Sequence, residues 1–454
     1  MSISLIPDLT RDSVSRHLIR LAIPMCWGYL SLSAFNLIDI YFVARLGVKD
    51  LAALSFAFPV IAVVFAFANA LGVGASSNIA RAVGNGDRRR VKRFCTDSII
   101  LTVAIVCVLV VAGLLTIDPL FRALGATDDL LPKIRQYMTV WYIGGVIIFL
   151  PMVCNHTMRA LGDTFTSSLM MTLMVVVNLA LDPLLIFGWG PVPACGLAGA
   201  ALAAVISRLV SLAGVLAILH YKYEVLDFTR PHRLVLLHSC TNIMRIAIPT
   251  TGVNLLMPLS GAFITWLAAG FGHNAVAAVG ASNRIFFFAY AIPQAMSVAL
   301  LPLGGQNWGR GLKGRTFQAW LAALRISFVF GGLTFLFFWL CGTRIAGWLS
   351  SDPEVSRLIQ LNVLIITLFS AFEHIATNTN MLFNAIGKPV IGVIISAIKA
   401  LVLLVPLSWL GCRFGGIAGL FWGWSISILL SGIVAWFVTC RQFPPCCRQL
   451  VTKE

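Results

Sequence analysis

Three acidic side chains, Asp39, Asp182 and Glu373, stand inside long apolar runs of this 454-residue chain, while the rest of its 17 acidic residues fall in polar stretches or at the ends of such runs. A carboxylate surrounded by hydrocarbon is costly unless it is protonated or paired, so each is a candidate for moving a proton, holding a cation or meeting a charged ligand. Asn178 and Asp182 are spaced i, i+4 and Asn36 and Asp39 i, i+3, so on helices each pair shares one face. Asn155 adds an amide in a neighbouring apolar run. Should these faces converge, they form a small polar chamber in the first half of the chain. Such a chamber can exchange a proton near neutral pH or hold a monovalent cation at Asp39 and Asp182. Glu373, Thr377 and Asn380 make a polar stripe at i, i+4 and i+7 that suits contact with a cationic substrate. Arg284 and Lys399 also fall in apolar runs, where they pair with Glu373 or line a substrate cleft.

The elements that carry these residues must be membrane helices. The chain is 59% hydrophobic and 11% charged, whereas a soluble domain has about 25% charged residues. Its formal charge of +16 sits in short basic runs between apolar segments, the pattern of cytoplasmic loops rather than of a nucleic-acid binder. The eleven cysteines have no paired or metal-ligand spacing. No P-loop and no zinc-binding histidine spacing is present, so neither catalysis nor a resident cofactor is expected, and no ATPase subunit is required.

A spanning helix takes about 20 apolar residues. The segments expected to span are 17–43, 52–80, 95–117, 134–158, 165–188, 196–221, 246–271, 276–305, 317–342, 357–383, 389–411 and 415–440. This predicts an all-α integral membrane protein with twelve transmembrane helices. Basic residues favour one set of loops, including the run from Arg81 to Arg93, by more than two to one, so both termini are expected to be cytoplasmic.

The halves repeat. Arg20 to Pro24 (RLAIP) recurs as Arg245 to Pro249 (RIAIP), and Gly86 and Arg90 recur as Gly311 and Arg315. Ala160-Leu-Gly162 recurs as Ala385-Ile-Gly387, all at a shift of 225. Near the end, Gly196 to Gly199 matches Gly416 to Gly419. Each half holds six spans, which predicts two six-helix bundles related by a pseudo-two-fold axis along the membrane normal. The expected division is an N-terminal lobe at 1–221, a cytoplasmic linker at 222–245 and a C-terminal lobe with a short tail at 246–454.

Several runs carry a family resemblance. Asn36-Leu-Ile-Asp39 with Ala44-Arg-Leu-Gly47, Gly72 to Ser76 with Ile79-Ala-Arg81, Arg159 to Asp163, and Asn178 to Pro183 together resemble the multidrug and toxic compound extrusion (MATE) transporters in order and spacing. The resemblance implies a secondary exporter of amphipathic or cationic small molecules, driven by antiport with H⁺ or Na⁺ through alternating access, in the plasma membrane or a bacterial inner membrane. By position it also implies a cation-coupling set of Asp39, Asp182, Asn178 and Asn155, as in the branch coupled through the N-terminal lobe. Ala204 departs from relatives that place a threonine near that set. Helix seven carries no acid, so Glu373 lacks the partner that another branch uses. The alternative is a flippase or exporter of lipid-linked precursors, which a strongly basic cleft would favour.

Overall fold

The computed structural model describes residues 6–191, 193–227, 229 and 233–443, with side chains for all of these except 36, 37, 40 and 48. The C-terminal cysteines and the basic tail from residue 444 lie outside them. The described chain is helical because a backbone in lipid must satisfy its own hydrogen bonds.

The first half comprises α1 (Val14–Ala44), α2 (Val48–Gly84), α3 (Arg88–Ala123), the pair α4 (Leu131–Ile143) and α5 (Gly145–Ala160), then α6 (Thr164–Phe187) and α7 (Gly196–Ala217). A π-helical turn, Ile218–Lys222, extends α7. The second half comprises α8 (Arg233–Ala269), α9 (His273–Ala289), α10 (Ala291–Gly309), α11 (Lys313–Leu349), α12 (Pro353–Leu368), α13 (Ser370–Ala385), α14 (Pro389–Ala397) and α15 (Val405–Gln442). A second π-helical segment, Ile398–Leu404, joins the last two.

Eight helical runs are long and apolar enough to cross a membrane, and three bent pairs, α4 with α5 (51°), α9 with α10 (48°) and α12 with α13 (55°), each make one more. The run from Pro389 to Gln442 has 54 residues, about 80 Å of helix and far more than one bilayer. It doubles back at Gly416, whose φ of +57° leaves the helical region. Gly411 therefore meets Gly419, and Gly423 meets Leu407, too closely for a side chain. With that reversal the chain makes twelve spans in two lobes.

The repeat is visible in the backbone. Gly86 and Gly311 adopt φ of +73° and +81°, and Gly162 and Gly387 adopt +93° and +77°. Only glycine takes this left-handed conformation freely, so equivalent turns end equivalent helices in both halves. Side chains such as Leu115, Trp266 and Phe337 are more than half exposed, as a lipid-facing surface requires.

Two compact units result. Among the described residues, the first holds 6–7, 27–83 and 87–248; the second holds 8–26, 84–86 and 249–443. The main division, between Ile248 and Pro249, falls just past the expected linker. The N-terminal residues depart from the expected lobe boundary, because their polar groups bond within the second unit. Leu9 N donates to Gln306 Oε1 at 3.3 Å, Asn307 Nδ2 to the Leu9 carbonyl at 3.1 Å, and Arg315 Nη2 to the Asp12 carbonyl at 2.8 Å. Asp97, expected at a helix end, is instead fully buried within α3, with Arg93 Nη2 at 3.7 Å.

Candidate ion site

Within the first unit, α6 presents Asn178 and Asp182 on one face, and both are buried. With its amide turned to satisfy its neighbours, Asn178 donates to Asp182 Oδ2 at 2.9 Å and accepts from Ala204 N at 3.3 Å. Ala204 has no hydroxyl to offer, yet its backbone reaches the same amide. Asp39 of α1 lies close enough to Asp182 for their charges to interact. The faces of α1 and α6 thus converge.

The sequence reading passed over the decisive cation. Arg208, on α7, interacts electrostatically with Asp39, with Asp182 and with the buried Tyr137 of α4. Its Nη1 donates to the Ala204 carbonyl at 3.1 Å, and its guanidinium lies 5.8 Å and 5.9 Å from the ring centres of Phe35 and Phe65. The signal was a lone arginine in the apolar run of the sixth span, as conspicuous as the other two membrane cations. The guanidinium makes no ion pair with either acid among the described residues, but it lies near enough for both charges to act on it.

Asn155 is a correction. It accepts from Ser167 Oγ at 3.1 Å and donates to the Pro151 carbonyl at 2.9 Å. Ser167 precedes Asn178 by eleven residues on α6, about 16 Å along the axis, so Asn155 sits well away from the two acids. The side chain of Asn36 lies outside the described residues.

In the second unit, Lys399 takes the part left open for it and pairs with Glu373 at 2.5 Å. Tyr290 and His374 sense the charge of Glu373, and their rings meet edge-on at 5.1 Å. Most polar groups of the expected stripe are already engaged, and only the buried Asn380 Oδ1 has no hydrogen-bond partner among the described residues. Thr377 Oγ1 donates to the Glu373 carbonyl at 3.0 Å, and Asn380 Nδ2 donates to Ser396 Oγ at 3.0 Å. Arg284 is exposed on α9 and makes no ion pair among the described residues, so it does not pair with Glu373.

The MatE family model matches residues 24–184 and again 249–410, two stretches in the register of the internal repeat. The chain belongs to the MatE family. A Shewanella oneidensis protein described as an FAD transporter is 34% identical over 95% of this chain and 96% of its own length. The multidrug export protein MepA of Staphylococcus haemolyticus is 25% identical over 94% of this chain and 93% of its own. The crystal structure of a Vibrio cholerae MATE transporter, VcmN, superposes with a TM-score of 0.89 at 28% identity, covering 97% of this chain and 98% of that one. This MATE protein is a multi-pass membrane transporter. Its family is one of transporters rather than enzymes, and the family couples transport to ions without a cofactor.

Proposed function

We propose that this transporter exports amphipathic aromatic compounds in exchange for one H⁺ or Na⁺ bound at Asp39 and Asp182, by alternating access in the plasma membrane with both termini cytoplasmic. The observation that carries the reading is the charge count around Arg208. One guanidinium balances one carboxylate, which leaves a single negative charge to be neutralised by a proton or a monovalent cation. Burying that charge uncompensated is costly, so the site favours the loaded state in a closed environment and can release its ion when water reaches it.

Flavin dinucleotide is the cargo we put first. The relative described as an FAD transporter shares the greater identity over nearly the full chain. The pairing of Glu373 with Lys399 also occupies the acid that would attract a cationic drug. Cationic or other amphipathic drugs are the second reading, favoured by the MepA relative. The test reconstitutes the protein in vesicles and imposes a proton gradient without Na⁺, then a Na⁺ gradient at fixed pH. Efflux of FAD and of a fluorescent cationic dye is followed in each. FAD movement under either gradient supports the first reading, dye movement alone supports the second, and movement of neither overturns ion-driven export.

A further inference from the structure

At the start of α3 lies a run of five cations, and their partners divide them. Arg88 pairs with Glu224, Arg90 with Asp87, and Arg93 with Asp97 and Asp227. Arg89 and Lys92 have no ion-pair partner among the described residues. Thr96 and Ile100 follow them on the same face of α3, at helical spacing.

That face forms one wall of a cavity of about 500 Å³, built from Thr96, Ile99 and Ile100 and closed on the other side by Leu216, Ala217 and His220. The volume falls in the range of small-molecule sites, about 300–1,000 Å³. The opposite wall includes the π-helical turn after α7, which locally widens the helix and carries Tyr221, 80% exposed, an aromatic suited to the headgroup level. Ile100 leads into a continuous exposed apolar line along α3, through Val108, Val111 and Leu115. Arg89 and Lys92 do not line the groove itself but precede Thr96 by one to two turns on the same face of α3, so that face grades from two cations to bare hydrocarbon.

Among the described residues that line it the only acid is Asp227, held by Arg93 Nη1 at 3.4 Å and by the Thr229 hydroxyl at 2.6 Å, so its charge is already answered. The internal repeat supplies a contrast. At the shift of 225, Arg89 and Lys92 correspond to Gly314 and Phe317. The fold is built in the second half without these cations.

We propose that the groove between α3 and the π-helical end of α7 holds one anionic phospholipid, its phosphate at Arg89 and Lys92 and an acyl chain along Ile100 and the exposed face of α3. Cations near an anionic membrane surface each contribute roughly a fivefold factor in lipid affinity. The site is separate from the ion site and does not depend on which cargo is carried.

The test compares the full-length protein, purified from vesicles of phosphatidylcholine alone or mixed with phosphatidylglycerol, by native mass spectrometry. Wild-type protein is expected to retain one phosphatidylglycerol in preference to phosphatidylcholine. Arg89→Gln with Lys92→Gln should reduce that retention about thirtyfold and leave phosphatidylcholine retention unchanged, which also reports an intact fold. Ile100→Trp keeps both cations but fills the groove, and should likewise release the lipid. Unchanged phosphatidylglycerol retention in either variant overturns the proposal. So does stabilisation of the wild-type protein by inorganic phosphate to the same extent as by phosphatidylglycerol, since the ligand would then be a free anion.

Discussion

Lys399 donates to both carboxylate oxygens of Glu373 at 2.5 Å, across the step from α13 to the π-helical segment before α15. Both side chains are about three-quarters buried. Removing one partner strands the other in a poorly solvated place, which costs more than the pair itself contributes. We expect Glu373→Gln to lower stability by about 1–3 kcal/mol, less than for a fully buried pair. Glu373→Gln with Lys399→Met should recover most of it. Thermal unfolding of the purified protein measures both, and equal losses in single and double variants would show that the pair is not coupled.

Arg208 sets the ion count. Arg208→Gln leaves two carboxylates facing each other with no cation, and both then need a proton or a metal cation before the site can close. We expect the variant to carry two protons per cargo molecule where the wild type carries one, or to stop cycling altogether. The ratio of proton flux to cargo flux in vesicles decides this. An unchanged ratio at an undiminished rate means that Arg208 does not balance the site.

The twelve spans, the two lobes and the convergence of Asp39, Asp182 and Asn178 were legible because apolar length, the repeat and helical spacing are properties of the chain itself. Asn155 was misplaced because spacing says which face a residue shares but not the height at which neighbouring helices align. The Ser167 contact fixes that height, and it is the wrong one. Arg208 and Asp97 were missed for a related reason. A single charge in an apolar run reads as an interfacial residue until its surroundings are seen: the acids near Arg208 come from other helices, and Asp97, beside Arg93 of its own helix, is buried by packing that spacing does not show. The exchange of residues 8–26 into the second unit has no signature in composition, since it rests on hydrogen bonds made some 300 residues away along the chain.

Asp163 closes the N-terminal end of α6. It accepts from Thr166 N at 2.9 Å, from the Tyr223 hydroxyl at 2.5 Å and from Lys222 Nζ at 3.1 Å. Burial opposes its charge, but the hydrogen bonds from Thr166 and Tyr223 outweigh it and hold the carboxyl below the usual range. A depressed value in the folded state means stability that is complete above about pH 4 and fades as pH falls through the depressed value. Asp163→Ala is expected to cost about 1–2 kcal/mol at neutral pH and to flatten this part of the acid limb. Melting temperatures between neutral and acid pH check it, and parallel curves for the two proteins would assign the acid limb to other carboxylates.

The coupling acids give the last prediction. Exchange requires that ion and cargo favour different conformations, because a ligand shifts an equilibrium only by its differential affinity. Asp39→Asn or Asp182→Asn keeps the shape of the side chain but leaves one carboxylate against one guanidinium. Such a site is neutral without any ion, so it has nothing left to gain from a gradient. We expect each variant to insert, fold and bind cargo, and to exchange cargo down its own gradient, while export driven by a pH or Na⁺ gradient falls to the leak rate. Asp182 is fully buried and fixed by Asn178, so its variant should match that of Asp39 rather than be milder. Flux assays with the ion gradient and the cargo gradient imposed separately distinguish lost coupling from lost binding. Full gradient-driven export by the Asp39→Asn variant removes α1 from the coupling site. Full export by the Asp182→Asn variant alone means that Asp39 by itself carries the exchangeable charge, with Arg208 answering neither acid.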